Sequence, residues 1–159
     1  MKKSFIYAAK SALCVILLTG IFNACSNSTS SEEEQEPIGL NAKLNGQTVV
    51  NQLNNTVQGS IQITEGQTIS LTVLFVDEDG VEFTPDPDEH SILVESNTSI
   101  ISSSNISSDE VPFSFDLSAS GNGQGNSIVI TMNHEGAPEF VSRDLPVVVS
   151  ASSASSVSK

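Results

Sequence analysis

The segment Ile69-Ser70-Leu71-Thr72-Val73-Leu74-Phe75 decides the fold. Apolar side chains recur at every second position, which is the pattern of a β-strand with one buried face. The same alternation runs from Phe113 to Leu117 and from Ile128 to Met132. Shorter apolar runs predict further strands at Val57 to Ile63, Ser91 to Val94 and Leu145 to Val149. No window shows the spacing of a convincing amphipathic helix, so we predict an all-β fold.

Turn residues separate these runs at intervals of about ten residues. Asn45-Gly46 is the sequence of a two-residue hairpin turn, and later breaks fall at Glu65-Gly66, Asp79-Gly80 and Gly121-Asn122-Gly123. Pro146 lacks a backbone N–H, so it indicates that the last strand either starts there or lies at a sheet edge. Roughly seven to nine short strands between residues 37 and 150 predict an immunoglobulin-like antiparallel β-sandwich.

The N-terminus has a different composition from the rest of the chain. Lys2, Lys3 and Lys10 precede the uncharged segment Ser11 to Ala24. This segment is shorter than the roughly 20 residues that cross a bilayer as a helix, and no basic cluster follows it. We therefore predict that residues 1–24 are an export signal that is removed.

The end of that signal reads Ile21-Phe22-Asn23-Ala24-Cys25-Ser26. It resembles the lipobox of bacterial lipoproteins, in which a small residue precedes the cysteine that receives lipid. Phe22 and Asn23 depart from the usual residues of that motif. The resemblance implies cleavage before Cys25 and acylation there with chains such as palmitate. An uncleaved membrane anchor and ordinary secretion are the alternatives.

Cysteine usage agrees with lipidation. Cys14 would leave with the signal, so Cys25 would be the only thiol in the mature chain. An exported protein with a single cysteine cannot form an internal disulfide, and lipid attachment gives that cysteine a role.

Polar segments flank the predicted sandwich. Residues 25–36 form an acidic, Ser-rich tether without the apolar side chains that a core requires. Its run Glu32-Glu33-Glu34 resembles the acidic tag of surface-exported lipoproteins of Bacteroidota-like bacteria, and a plain solvated linker is the alternative. Residues 151–159 (ASSASSVSK) are predicted to be a disordered Ser-rich tail.

The charge is strongly negative. The chain has 6 basic and 19 acidic residues, a formal charge of −13. Removal of the signal with its three lysines leaves three basic residues against 19 acidic, hence −16. Such a surface repels nucleic-acid phosphates and anionic lipid headgroups, so no nucleic-acid partner is predicted. We expect a location in the cell envelope, on the periplasmic or outer surface of an outer membrane.

One candidate cation site is the acidic segment Asp77 to Glu82. Calcium takes six to eight oxygen ligands, and Asp77 and Asp79 on a turn offer carboxylates. Gly80 does not fall at the position that the calcium loop of EF-hands requires. The alternative is a hairpin turn with solvated acidic side chains.

A second candidate site combines the segment Asp86-Pro87-Asp88-Glu89-His90 with His134-Glu135 and Glu139. Zinc prefers a few histidine or carboxylate ligands of this kind, and His90, His134 and Glu139 are the ligands we expect. The alternative is ordinary polar residues at strand ends. The C-terminal third of the domain also resembles uncharacterised exported bacterial lipoproteins. The matching residues are His134, Gly136, Glu139, Phe140 and Pro146, whereas Ala137 stands where that pattern has a second histidine. This resemblance implies no known activity.

Enzymatic motifs are missing from the sequence. There is no Gly-x-Ser-x-Gly nucleophile motif, and Gly121 to Gly125 lacks the Lys and Ser/Thr of a phosphate-binding loop. We therefore predict a lipid-anchored, non-catalytic module without a required cofactor that binds an unknown envelope protein or ligand. The alternative is a lipoprotein that handles zinc or calcium.

Overall fold

The computed structural model describes residues 35–152. The predicted signal, Cys25, most of the tether and the end of the Ser-rich tail lie outside the described residues. Within the described range the chain is all-β and forms two mainly antiparallel sheets, which confirms the predicted fold class. No helix in this range has the length and apolarity needed to cross a membrane.

Residues 35–152 form twelve strands. They are β1 (Gly39–Leu44), β2 (Gln47–Leu53), β3 (Thr56–Gly59), β4 (Ile61–Thr64), β5 (Thr68–Val76), β6 (Glu82–Phe83), β7 (His90–Ser96), β8 (Ile101–Ser107), β9 (Phe113–Ala119), β10 (Asn126–His134), β11 (Ala137–Val141) and β12 (Leu145–Ser150).

The strands form a sandwich of two sheets. The first sheet has the order β3-β2-β1-β5-β9-β8, and β6 pairs with the C-terminal end of β5. The second sheet is built around β10, which pairs with β7 on one side and with β11 and β12 on the other. β4 pairs with β12 in parallel.

Alternation along the strands creates one hydrophobic core between the sheets. Leu71, Val73 and Phe75 of β5 are fully buried, and so are Ile128 and Ile130 of β10. These side chains belong to a single buried cluster that draws on both sheets. Each fully buried side chain of this size stabilises the fold by about 1.5–3 kcal/mol, so the period-two pattern supplies most of the driving force.

The predicted hairpin at Asn45-Gly46 is present. Asn45 and Gly46 have φ of 51° and 78°, and Leu44 pairs with Gln47 directly across the turn. Positive φ at both central residues is the geometry of the two-residue turn that matches strand twist.

One detail of the strand prediction is wrong, and the alternatives for Pro146 are resolved. The stretch Val57 to Ile63 is two strands in different sheets, because Gly59 with φ of 83° turns the chain between them. Of the two alternatives for Pro146, the strand start holds and the sheet edge does not, because β12 begins at Leu145 and is an interior strand between β10 and β4. Pro146 is tolerated because it is the second residue of β12, before pairing with β4 begins at Val147.

Candidate functional site

Two histidines meet at one end of the sandwich. His90 begins β7, His134 ends β10, and the two residues are directly paired across the strands. They continue the inward-facing series that includes Ile92 in β7 and Met132 in β10. Their rings therefore lie on the inner face of the second sheet, stacked with centroids 4.6 Å apart and planes inclined by 21°.

Glu139 reaches the same place through a β-bulge. Phe140 pairs with Met132 and Pro138 pairs with Asn133, so Glu139 is the extra residue of β11. In a regular strand Glu139 and Phe140 would point to opposite faces, but a bulge re-aims a side chain. Phe140 packs edge-on against Phe75 at 5.8 Å, while Glu139 turns towards the first of the two histidines.

The three side chains are close enough to share an ion. Glu139 Oε2 lies 3.3 Å from His90 Nε2. One nitrogen or oxygen of His90, His134 and Glu139 can be chosen so that all three atoms lie within 4.8 Å of one another. The side chain of His90 is 5% exposed and those of Glu139 and His134 are 24% and 32% exposed. The group is therefore anchored in the core at one side and accessible at the other.

The turn before β7 fixes the orientation of His90. The carbonyl oxygen of Asp86 accepts a hydrogen bond from the His90 backbone N–H at 2.9 Å. The same oxygen lies 3.1 Å from His90 Nδ1. Because a carbonyl oxygen can only accept, Nδ1 carries the hydrogen. In the neutral ring, Nε2 then presents its lone pair to Glu139.

This arrangement matters because a lone pair facing a carboxylate is electrostatically unfavourable. Either a proton on His90 Nε2 or a cation between the two groups removes the repulsion. A hydrogen bond from Nδ1 to a backbone carbonyl is also the usual way in which proteins orient a metal-binding histidine.

Glu89 is a further carboxylate on the accessible side. Its Oε2 lies 3.9 Å from His134 Nε2, and its side chain is 58% exposed. Its carbonyl oxygen accepts a hydrogen bond from the backbone N–H of Glu135 at 3.0 Å. This bond connects the start of β7 with the turn after β10.

One pair of ligand atoms has the spacing that a tetrahedral zinc ion requires. Zinc bonds to nitrogen and oxygen of about 2.0–2.2 Å place two ligands of a tetrahedron about 3.3–3.5 Å apart. The distance between His90 Nε2 and Glu139 Oε2 has that value. Among residues 35–152, this is the one group of three or more His, Cys, Asp or Glu side chains with suitable spacing.

Asp77 and Asp79 lie elsewhere, in the turn between β5 and β6. Oδ1 of Asp77 accepts hydrogen bonds from the backbone N–H groups of Asp79 and Val81, at 3.0 and 2.8 Å. Its Oδ2 accepts a bond from the side chain of Gln35. The Asp77 carboxylate thus stabilises the turn, and neither aspartate joins the histidine group. Calcium binding at this turn stays a prediction.

Two other carboxylates have lowered pKa values for reasons internal to the fold. The ammonium of Lys43 lies 2.7 Å from Glu82, and this hydrogen bond, aided by one from Asn41, holds the pKa of Glu82 below its ordinary value. Hydrogen bonds from Ser70 and Asn105 lower the pKa of Asp116. These carboxylates belong to outer-face contacts of the first sheet and not to the histidine group.

Sequence reasoning included Glu89 in the segment before His90, but nothing in the sequence shows that it approaches His134. It missed the cleft around Arg143, although Arg143 is one of only three basic residues after the predicted signal.

The sequence matches no protein-family model and no curated protein. Among solved structures, the chain is similar to domains 4 and 5 of the S-layer protein SbsC, with 17% identity and a TM-score of 0.37 over 72% of this chain and 53% of that one. It is also similar to SbsC domains 4–9, with 16% identity and a TM-score of 0.37 over 65% of this chain and 18% of that one. The chain thus spans about half of the first structure and less than a fifth of the second. Likeness at this level says nothing about what this chain does.

Proposed function

We propose that this chain is a lipid-anchored envelope protein whose immunoglobulin-like sandwich is a non-catalytic module that binds a zinc ion. The observation that carries the zinc proposal is the convergence of His90, His134 and Glu139 on one open end of the core. The anchor rests on the lipobox resemblance at Cys25, which lies outside the described residues.

The donor set favours zinc over calcium. Two imidazole nitrogens and one carboxylate suit a borderline ion such as Zn²⁺, whereas Ca²⁺ requires six to eight oxygen ligands. The ligand atom of His134 lies at most 4.8 Å from those of His90 and Glu139, so it need only move closer to reach the tetrahedral spacing. Since His134 and Glu139 are partly exposed, a small rotation of either side chain supplies that movement.

Glu89 supports a closed site. Three protein ligands and a bound water are typical of catalytic zinc, whereas four protein ligands are typical of structural zinc. Glu89 is long, exposed and already 3.9 Å from His134 Nε2. We assign it the fourth position, which leaves no open coordination site for a substrate.

Zinc binding by the purified chain tests the site. We expect one ion per chain by calorimetry, and a stabilisation of about 2.7 kcal/mol when free zinc is 100 times its dissociation constant. For a domain of this size, that corresponds to a rise in melting temperature of roughly 10 °C. Glu139→Gln and His90→Gln should abolish the rise, because each removes a ligand without changing side-chain size greatly.

Glu135→Gln is the matched control. Glu135 is an exposed acid next to His134 and makes no part of the ligand group. If Glu135→Gln weakens zinc binding as much as Glu139→Gln, the effect is one of general negative charge and the site proposal fails. The proposal also fails if zinc produces no thermal shift in the unsubstituted chain.

The fourth ligand has its own test. Cobalt substituted for zinc absorbs visible light strongly when it is four-coordinate and tetrahedral, and Glu89→Gln should change that spectrum while leaving one ion bound. An unchanged spectrum would remove Glu89 from the site.

The anchor is tested separately. Cys25→Ser should release the exported chain from membranes, and mass spectrometry should find acyl groups on Cys25 in the natural chain. Firm membrane attachment of the Cys25→Ser form would contradict lipid anchoring without affecting the zinc site.

A further inference from the structure

A cleft lies beside the link between β11 and β12. This cleft of about 490 Å³ is lined by residues that include Ile38, Gln52, Asn54, Asn55, Phe140 and Arg143. Its volume falls within the range of about 300–1,000 Å³ that is typical of small-molecule pockets. Ile38 and Phe140 are half-buried and give the cleft an apolar wall.

A buried glutamine holds this cleft in shape. Gln52 is 2% exposed. Its Oε1 accepts a hydrogen bond from the Arg143 backbone N–H at 2.6 Å, and its Nε2 donates to the Asn54 carbonyl oxygen at 3.0 Å. Both polar ends of a buried side chain are therefore satisfied. Gln52 connects the β11–β12 link to the turn between β2 and β3, and it thereby holds the two sides of the cleft at a fixed separation.

Arg143 presents hydrogen-bond donors along this cleft. Its Nε and Nη2 both donate to one neutral oxygen, Asn55 Oδ1, at 3.2 and 2.6 Å. In the part of the chain from 35 to 152, no carboxylate lies within 4.0 Å of its basic nitrogens. An arginine without a neighbouring carboxylate is unusual in a chain with 19 acidic and 6 basic residues. A guanidinium has five N–H donors, so three remain beyond those aimed at Asn55.

We propose that this cleft binds a carboxylate that carries a short apolar tail. The planar guanidinium matches a carboxylate through two parallel hydrogen bonds, which a neutral amide cannot reproduce with the same strength. Asn55 holds the guanidinium in place, and the wall of Ile38 and Phe140 receives the tail. The negative charge elsewhere on the domain repels a carboxylate, but salt screens this repulsion over distance. The repulsion therefore weakens carboxylate binding without preventing it.

Hexanoate is the probe, and hexanamide is its uncharged counterpart with the same tail. The purified chain is treated with a chelator, so that a carboxylate cannot bind through zinc, and is titrated while ¹⁵N NMR follows side-chain N–H groups. We expect saturable shifts at Arg143 Nε and the Asn55 amide, with hexanoate at least tenfold tighter than hexanamide. Acetate should bind more weakly than hexanoate because it lacks the tail.

Two variants in the cleft and one control outside it test which residues bind hexanoate. Arg143→Gln should weaken hexanoate at least tenfold, and Asn55→Ala should weaken it less, because it removes only the group that orients the guanidinium. Lys43→Gln, which removes a basic residue in the outer face of the first sheet, should leave binding unchanged. A melting curve by circular dichroism establishes that each variant is folded.

Equal binding of hexanamide and hexanoate would overturn the proposal. So would shifts confined to residues outside the cleft, the absence of saturation at tens of millimolar hexanoate, or an equal loss in Lys43→Gln and Arg143→Gln. The site does not depend on zinc, so none of these outcomes bears on the proposed metal function.

Discussion

Phe140→Ala is expected to weaken zinc binding although Phe140 has no ligand atom. Its ring is the contact through which the bulged part of β11 is held against Phe75 of the core. Full burial makes a Phe→Ala change cost about 3–5 kcal/mol. Since Phe140 is half-buried, we expect a loss of about 2 kcal/mol. The chain should stay folded, because a domain of this length has roughly 6–18 kcal/mol of stability.

The effect on zinc follows from the position of Glu139. Without the ring, the bulge in β11 keeps its pairing with β10 but loses its contact with the core, and Glu139 faces His90 for a smaller fraction of the time. If that fraction falls to about one tenth, the apparent dissociation constant rises tenfold, which corresponds to about 1.4 kcal/mol.

Phe83→Ala is the matched comparison. Phe83 is also half-buried and also packs on Phe75, with ring centroids 6.3 Å apart, but it lies on β6. We expect a similar loss of stability and no change in zinc affinity. Stability is measured by urea unfolding followed by far-ultraviolet circular dichroism, because the chain has no Trp and its one Tyr, Tyr7, precedes the sandwich. Zinc affinity is measured by calorimetry.

The coupling between the core and the site would be refuted by either of two results. One is that Phe140→Ala changes the zinc dissociation constant by less than twofold. The other is that Phe83→Ala raises it by the same factor as Phe140→Ala, since the loss would then reflect general loosening of the sandwich.

Three further predictions concern stability. Lys43→Met should lower stability by less than 1 kcal/mol at neutral pH, because the pair with Glu82 is near the surface. Because the pKa of Glu82 is lowered in the folded state, the pair stabilises the fold above the ordinary pKa of 4.5, and this contribution is lost as pH falls through the folded-state pKa. Urea unfolding should therefore show that the difference in stability between Lys43→Met and the unsubstituted chain disappears in acid. A difference that persists at low pH contradicts this. Gly59→Ala should cost far more than Gly46→Ala, as measured by urea midpoints. Both positions have positive φ, but a Cβ at Gly59 would lie 2.3 Å from a backbone carbonyl oxygen, whereas the space at Gly46 is open; equal costs would show that the strands separate to admit the methyl group. Gln52→Leu should cost about 2–4 kcal/mol because it leaves two backbone groups without their partner, and a change under 0.5 kcal/mol in the same assay would mean that water replaces the side chain.

The all-β class was predictable because its signal is local. The alternation in β5, β9 and β10 reports directly which side chains are buried. The split between β3 and β4 was not predictable, because the residue types Gly59 and Ser60 do not show whether a strand continues or crosses to the other sheet. Pro146 left two alternatives open for a related reason, since the choice between a strand start and a sheet edge depends on where pairing with a distant strand begins.

The candidate site was only partly predictable. His90, His134 and Glu139 were recognisable as possible ligands from their residue types. Their meeting depends on the register between β7 and β10 and on the bulge in β11, which are set by pairing across the sheet. The bulge in particular is invisible in the sequence, because Glu139 next to Phe140 looks like a normal alternation of outward and inward positions.

The parallel pairing of β4 with β12 has a consequence for biosynthesis. Ile61 to Thr64 find their partners at Val147 to Ser150, and β12 also contributes buried Leu145 and Val147. A ribosome must therefore synthesise β12 before the second sheet can close. Nascent chains that stop short of Leu145 would display an unsatisfied edge and an uncovered apolar layer, which makes them substrates for chaperones and proteases.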